Sequence, residues 1–204
     1  MPKVTANQEY ERELIEAGTH FVRLVQIIDL GTHTVEWKGE EKLQRKSMFV
    51  FELPEEKYEY ETKEGKKISG VKLKNMRFTV SWWDSSNLKK FICSWLGDQQ
   101  LPEGGLDLST WLGKTGIGTI QHDVGKNGTT YDNLKAVAPL MKGMKDIKAV
   151  TEQLYFDLDN YDVAIFDKLP EWIQNIIRES KEYPTVSDNA PQVEDVPIDD
   201  DLPF

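Results

Sequence analysis

Residues 71–83 read VKLKNMRFTVSWW, which sets Lys72, Lys74 and Arg77 along one short stretch and ends it on Trp82-Trp83. Cations at such spacing can follow a row of anionic oxygens, and flat rings beside them offer faces on which planar heterocycles stack. Charge plus stacking is the chemistry that holds a single nucleic-acid strand without reading its sequence, with roughly 1–3 kcal/mol per stacked base. The same pairing recurs elsewhere. Arg45 and Lys46 are adjacent, Lys126 and Lys135 flank Asn127-Gly128 with Tyr131 between them, and Trp37 stands in a polar setting beside Lys38-Gly39. In a strand, neighbouring side chains face opposite ways, so only one ring of Trp82-Trp83 belongs to a core, and Trp83 is the candidate for the surface. Each of these residues has a plain structural alternative: a solvated sheet face for the cations, core packing for the rings. Phe49, Phe51, Trp95 and Trp172 are assigned to packing.

Other chemistry is harder to assemble. Gly113-Lys114-Thr115 echoes the end of a phosphate-binding loop, but position 108 is Leu where Gly is required, and Gly116 and Gly118 spoil the helix that should follow. The run FDLDNYD (156–162) begins with the Asp spacing of a calcium loop. Tyr161 and Asp162 then replace an oxygen ligand and the turn glycine, and Lys168 stands where the bidentate Glu belongs. His20, His33 and His122 are far apart and there is one cysteine, so no zinc spacing occurs. His122 reads as an ordinary strand histidine and Cys93 as a small buried apolar residue. No catalytic triad and no acidic metal constellation is evident. The expectation is a non-enzyme with no metal and no cofactor.

The formal net charge of −10 argues against a polyanionic partner until the charges are located. Residues 20–149 hold 20 Lys and Arg against 17 Asp and Glu, whereas residues 181–204 hold one Lys against seven acids. The middle is mildly basic and the end is an acidic tail of the kind used for interactions. With Cys93 alone, no internal disulfide forms, which suits a reducing cytoplasm. The opening MPKVTANQEYERELIEAG has no apolar segment like that of a signal peptide, and no run of 18 apolar residues occurs, so no membrane partner is expected.

The elements that must position the candidate residues follow from periodicity. Residues 19–30 (THFVRLVQIIDL) read as a strand that is apolar on both faces, as in a strand curling between two sheets, ending at Gly31. A second strand begins at Thr34–Lys38, resumes at Lys46–Leu53 and stops at Pro54. The charged stretch 54–70 is an excursion or β-arm, and Val71–Trp83 is the third strand. Ser85 or Ser86 then caps a helix whose apolar face is Leu88, Phe91, Ile92, Trp95 and Leu96, with Gly97 at the stop. After a helical turn at 108–112, strands at Gly116–Val124 and Thr129–Leu140 are joined by the hairpin signal Asn127-Gly128. Lys168–Tyr183 forms a second amphipathic helix with Pro170 near its start. Residues 184–204 lack periodicity and are expected to be disordered.

Three strands, a helix and two strands make the order of an OB-fold, a mainly β five-stranded Greek-key barrel with its helix between strands 3 and 4. The expected organisation is an N-terminal extension (1–18), the OB-fold core (19–150), a C-terminal helical extension packing on it (151–183) and the acidic tail (184–204).

The ending PIDDDLPF resembles the C-terminal tip of bacterial single-stranded DNA-binding proteins, an acidic run closed by a hydrophobic residue, Pro and Phe; Leu202 stands where that family usually has Ile. The stretches VQIIDLGT, GTTYDNLKAVAP and LPEWIQNII are similar to single-stranded DNA-binding proteins encoded by tailed bacteriophages. The resemblance implies a protein that coats single-stranded DNA in replication, recombination and repair in the host cytoplasm. It also implies a tail whose Asp199, Asp200, Asp201, Leu202, Pro203 and Phe204 recruit replication and recombination enzymes. A simple solubilising tail is the plainer alternative. A strand-annealing or recombination protein, a small nuclease and an OB-fold protein-interaction module remain open as other classes, and so does a homo-oligomeric state.

Overall fold

A computed structural model describes residues 13–61, 65–103, 105–144 and 147–183. The apolar run that begins near residue 19 does not stop at Gly31. Strand β1 continues from Gly18 to Trp37, with register shifts between Leu24 and Gln26 and between Asp29 and Gly31. Gly31 has φ +78°, open to glycine without a Cβ penalty, and its N–H donates to the Asp29 carboxylate at 3.0 Å. The glycine that looked like a terminator is a bulge that bends the strand. Residues 34–37 therefore complete the first strand rather than opening the second. The chain reverses at Lys38-Gly39, both at positive φ (55° and 79°), as a two-residue hairpin turn matched to strand twist demands.

β2 spans Glu40–Glu61 and β3 spans Lys67–Thr79, paired antiparallel. Pro54 does not stop β2. It sits where the register jumps between Leu53 and Lys57, and a bulge tolerates the missing N–H. Beyond it Lys57–Glu61 pair with Lys67–Val71 as a two-stranded arm, as the sequence suggested for 54–70. β3 ends at Thr79, so Trp82 and Trp83 lie in the connection to the next helix and not on the strand. That helix, α1, spans Asn87–Leu96; the Ser86 hydroxyl accepts from Lys89 N–H at 3.1 Å and Gly97 (φ +81°) caps its end. β4 (Thr115–Val124) and β5 (Thr130–Ala138) complete the sheet.

The strand order is β3-β2-β1-β4-β5, with these neighbours antiparallel. β1 holds it together by serving two partners: residues 18–23 pair with β4 and residues 23–37 with β2. The result is a curled five-stranded half-barrel, consistent with an OB-like fold. One further strand was not anticipated. β6 (Leu154–Phe156) runs parallel to Gln26–Ile28, along the edge of β1 that β4 has left.

Two cores lie on the two faces of the sheet. Val22, Leu24 and Ile27 point inward with Phe49, Phe51, Phe78 and the α1 residues Leu88, Phe91, Ile92 and Trp95. Phe51 meets Trp95 edge-on at 5.5 Å, and the Trp95 indole N–H donates to the Thr115 carbonyl at 2.9 Å. Val25, Ile28, Leu30, Met48 and Val50 point outward. Their cover is not a second sheet but the C-terminal segment, through Phe156, Leu158, the short helix α2 (Val163–Phe166) and helix α3 (Glu171–Arg178) with Ile173 and Ile177. Each of these large side chains contributes about 1.5–3 kcal/mol by leaving water. The segment is pinned where the bulge is. Lys181 N–H donates to the Thr32 carbonyl at 3.0 Å, and the Glu182 carboxylate accepts from Thr32 N–H at 2.8 Å and from its hydroxyl. Residues 1–12 and the acidic tail 184–204, including Asp199–Phe204, lie outside the described residues.

Candidate nucleic-acid interface

The far end of β1, the start of β2, the end of β3 and the lead into α1 enclose an open cleft of about 1160 Å³. Four of the ten candidate residues line it: Trp37, Lys46, Arg77 and Trp83. The pairing register explains the gathering. Lys46 lies opposite Thr79 and Gln44 opposite His33, while alternation keeps Lys42, Gln44 and Lys46 on one side of β2. Trp37 is 58% exposed and Trp83 79% exposed, so both rings offer a face to a ligand. Cations and carboxylates both stand near: Glu40 lies opposite Trp37 in the strand register, and Glu179 lines the cleft. Lys38 Nζ lies 6.0 Å from the Trp37 ring centroid, and the Arg77 guanidinium lies over Trp172 at 5.4 Å.

Lys46 is the most constrained cation of the cleft. Its Nζ donates to Gln44 Oε1 at 2.5 Å and to Thr79 Oγ1 at 2.8 Å, and Thr79 Oγ1 donates in turn to Gln44 Oε1 at 3.2 Å. Burial pushes the Lys46 pKa down from its ordinary value. A partly desolvated ammonium has lost water that an anion can replace, which strengthens its attraction for one. With the Gln44 carbonyl oxygen engaged twice, its amide N–H donors are the part left to face outward.

The other six candidates sit elsewhere. Arg45 alternates to the far side of β2, where Asp29 and Asp159 hold it, the latter at 3.0 Å. Hydrogen bonding to Asp29 raises its pKa further. Lys74 is only 8% exposed and its Nζ lies 2.6 Å from Asp132, so it is an interior residue and not a surface cation. Alternation carried that signal: residues 72, 74, 76 and 78 share a face, and Met76 and Phe78 belong inside. Lys72 reaches Glu13 at 3.4 Å. Lys126, Tyr131 and Lys135 belong to the β4–β5 hairpin, beyond the N-terminal end of β1, whereas Trp37 closes its C-terminal end. There Lys135 pairs with Asp123, whose carboxyl it holds below the usual range, and the Tyr131 hydroxyl accepts from Asn127 at 3.4 Å.

Several contributors were not singled out in the sequence. Lys42, Gln44, His33 and Asn87 line the cleft, as do Ile176 and Glu179 of the C-terminal segment. His33 is held by donation from Nε2 to the Leu30 carbonyl at 2.8 Å. Trp172, assigned to packing, is 46% exposed instead. Its place at the margin of the α3 apolar stripe leaves one ring face for Arg77. Cys93 is half-buried, with Sγ 3.9 Å from Asp98 Oδ1, rather than enclosed.

The apparent phosphate loop is a turn into β4: Gly113 N–H donates to the Leu24 carbonyl at 2.8 Å, and a strand follows it. Asp157 and Asp159, the start of the apparent calcium loop, serve as a helix cap and an Arg45 partner. Among the described residues no group of three or more His, Cys, Asp or Glu is arranged to hold a metal ion, and no helix is long and apolar enough to cross a membrane. No protein-family model matches the chain, and no curated protein matches it in sequence.

Proposed function

We propose that the chain binds single-stranded DNA with little sequence preference and without catalysis, on an OB-type barrel, covering transient single strands during replication, recombination and repair. One observation carries the reading: two exposed indoles, Trp37 and Trp83, share a cleft with Lys46 and Arg77. Exposed ring faces suit unstacked bases, which a duplex does not present. The cations are few, so phosphate neutralisation is modest and affinity is expected to weaken with salt by a correspondingly small slope.

Titration of labelled oligo(dT), oligo(U) and duplex DNA at two salt concentrations tests this. Single strands should bind at least about tenfold more tightly than duplex. Equal affinity for the two overturns the reading, and loss of intact oligonucleotide in magnesium would make the protein a nuclease.

The same reading gives Asp199–Phe204 a role in recruiting replication and recombination enzymes. Three acids followed by Leu, Pro and Phe suit a hydrophobic pocket with a basic rim. Phe204→Ala should abolish such recruitment in a pull-down with replication enzymes and leave oligo(dT) affinity unchanged; retained capture would remove the role.

A further inference from the structure

Arg77 and Trp172 come from distant parts of the chain. Arg77 projects from the outer face of β3 into the cleft, and Trp172 stands in the first turn of α3 with its ring 5.4 Å from the guanidinium carbon. The helix carrying Trp172 is firmly placed. Ile173 and Ile177 are buried in the outer core, Ser180 lies against Gly31, and Lys181 and Glu182 bond to Thr32. The ring is therefore a fixed surface at the cleft edge, and Ile176 and Glu179 of the same segment line the cleft itself.

We propose that Trp172 is a positioning residue of the single-strand site, holding the Arg77 guanidinium flat so that its N–H edge meets a phosphate. This rests on the proposed binding of single strands in the cleft. A guanidinium lying on a ring keeps its donors in its own plane, directed sideways, where two of them can reach a phosphate together. A long side chain ordered only on binding loses rotamer freedom at that moment, whereas one already stacked has lost it beforehand. Glu179 adds a second reason. It is a competing acceptor in the same cleft, and an Arg77 released from the ring is open to capture by it.

The test is oligo(dT) binding by Trp172→Ala, Trp172→Phe, Arg77→Ala and the Arg77→Ala/Trp172→Ala pair, each measured between about 50 and 200 mM salt. Trp172→Ala should weaken binding by about threefold to tenfold, the scale of a cation–π contact. It should also flatten the salt slope by up to about 0.7, as loss of one phosphate contact does. The double variant should bind no more weakly than Arg77→Ala, and Trp172→Phe, which restores a ring, should retain both affinity and slope. Trp172 is half-exposed, so its removal leaves the core filled, and melting temperatures of the variants check this. Wild-type affinity and slope in Trp172→Ala, or additive losses in the double variant, overturn the inference alone. Failure of the wild-type chain to bind oligo(dT) overturns the cleft reading and the inference with it.

Discussion

Lys74 Nζ and Asp132 Oδ1 meet at 2.6 Å, both side chains almost fully buried, and so join β3 to β5 across the seam of the half-barrel. Among the described residues no ladder of strand pairing crosses that seam. The other Asp132 oxygen accepts from Ile15 N–H at 2.9 Å, which ties the N-terminal approach to the same point. Removing one partner takes the counter-charge from a buried ion, so Lys74→Met or Asp132→Asn should each cost about 3–5 kcal/mol in urea denaturation. The pair Lys74→Met/Asp132→Leu should recover most of that loss. Oligonucleotide binding by this double variant should stay near wild type, because Lys74 does not face the cleft.

The seam also sets an acid limit. Burial pushes the Asp132 carboxyl up, but the Lys74 ammonium and the Ile15 N–H outweigh it, and the pKa lies below the usual value. A lowered folded-state pKa gives stability that is fully present above the unfolded value, near about 4, and is lost as pH falls toward the folded one. Glu182 acts in the same direction: burial raises it, and the Thr32 donors pull it below its ordinary value. The melting temperature of the wild type should therefore fall steeply below about pH 4. Its advantage over Asp132→Asn should shrink across the same interval.

Stacking and charge should separate in the cleft. Trp37→Ala or Trp83→Ala should each weaken oligo(dT) binding by about 1–3 kcal/mol with little change in salt slope. Lys46→Ala should flatten the slope by up to about 0.7. The β4–β5 hairpin lies at the other end of β1, so Tyr131→Ala should matter only for oligonucleotides long enough to reach it. Comparing affinities for strands of about 6 and about 16 nucleotides, within the site sizes known for such barrels, checks that expectation.

Gly31 and Gly39 both have positive φ, yet they should respond differently to alanine. A Cβ on Gly31 would lie 2.4 Å from Ser180 Cβ, whereas one on Gly39 would meet nothing within 4 Å. Gly39→Ala should cost about 1 kcal/mol from backbone strain alone. Gly31→Ala should cost at least about 2 kcal/mol, because it also pushes the C-terminal segment from β1. Thermal denaturation of the two variants side by side decides it.

Local signals in the sequence were reliable where one residue type does one job. Ser86, the apolar face of α1 and Gly97 mark the helix because capping and the 3.6-residue period leave little choice. Asn127-Gly128 marks the β4–β5 hairpin for the same reason. Gly31 misled because a left-handed glycine looks alike in sequence whether it ends a strand or bends one. The outer core was legible as apolar residues on both faces of β1, and a helical segment 151–183 was expected to pack on the barrel; the parallel strand β6 within that segment was not legible, because it meets β1 across a long stretch of chain. Of the candidate site, charge and aromaticity could name residue types, but only the register sorts which of them share the cleft. Lys46 and Arg45 are neighbours in sequence that face opposite sides of one strand, and only pairing with β1 and β3 shows which side holds the cleft.

The parallel pairing of β6 with β1 has a consequence for synthesis on the ribosome. The outer face of β1 is made well before its cover: Asp29 accepts from Leu158 N–H across 129 residues of chain. At about 5–20 residues per second, Val25, Ile28 and Leu30 wait on the order of ten seconds for their partners to emerge. During that interval the nascent half-barrel presents an apolar strip to water, so a chain stalled before residue 154 should be held by chaperones. Release should come only once α3 has closed over β1.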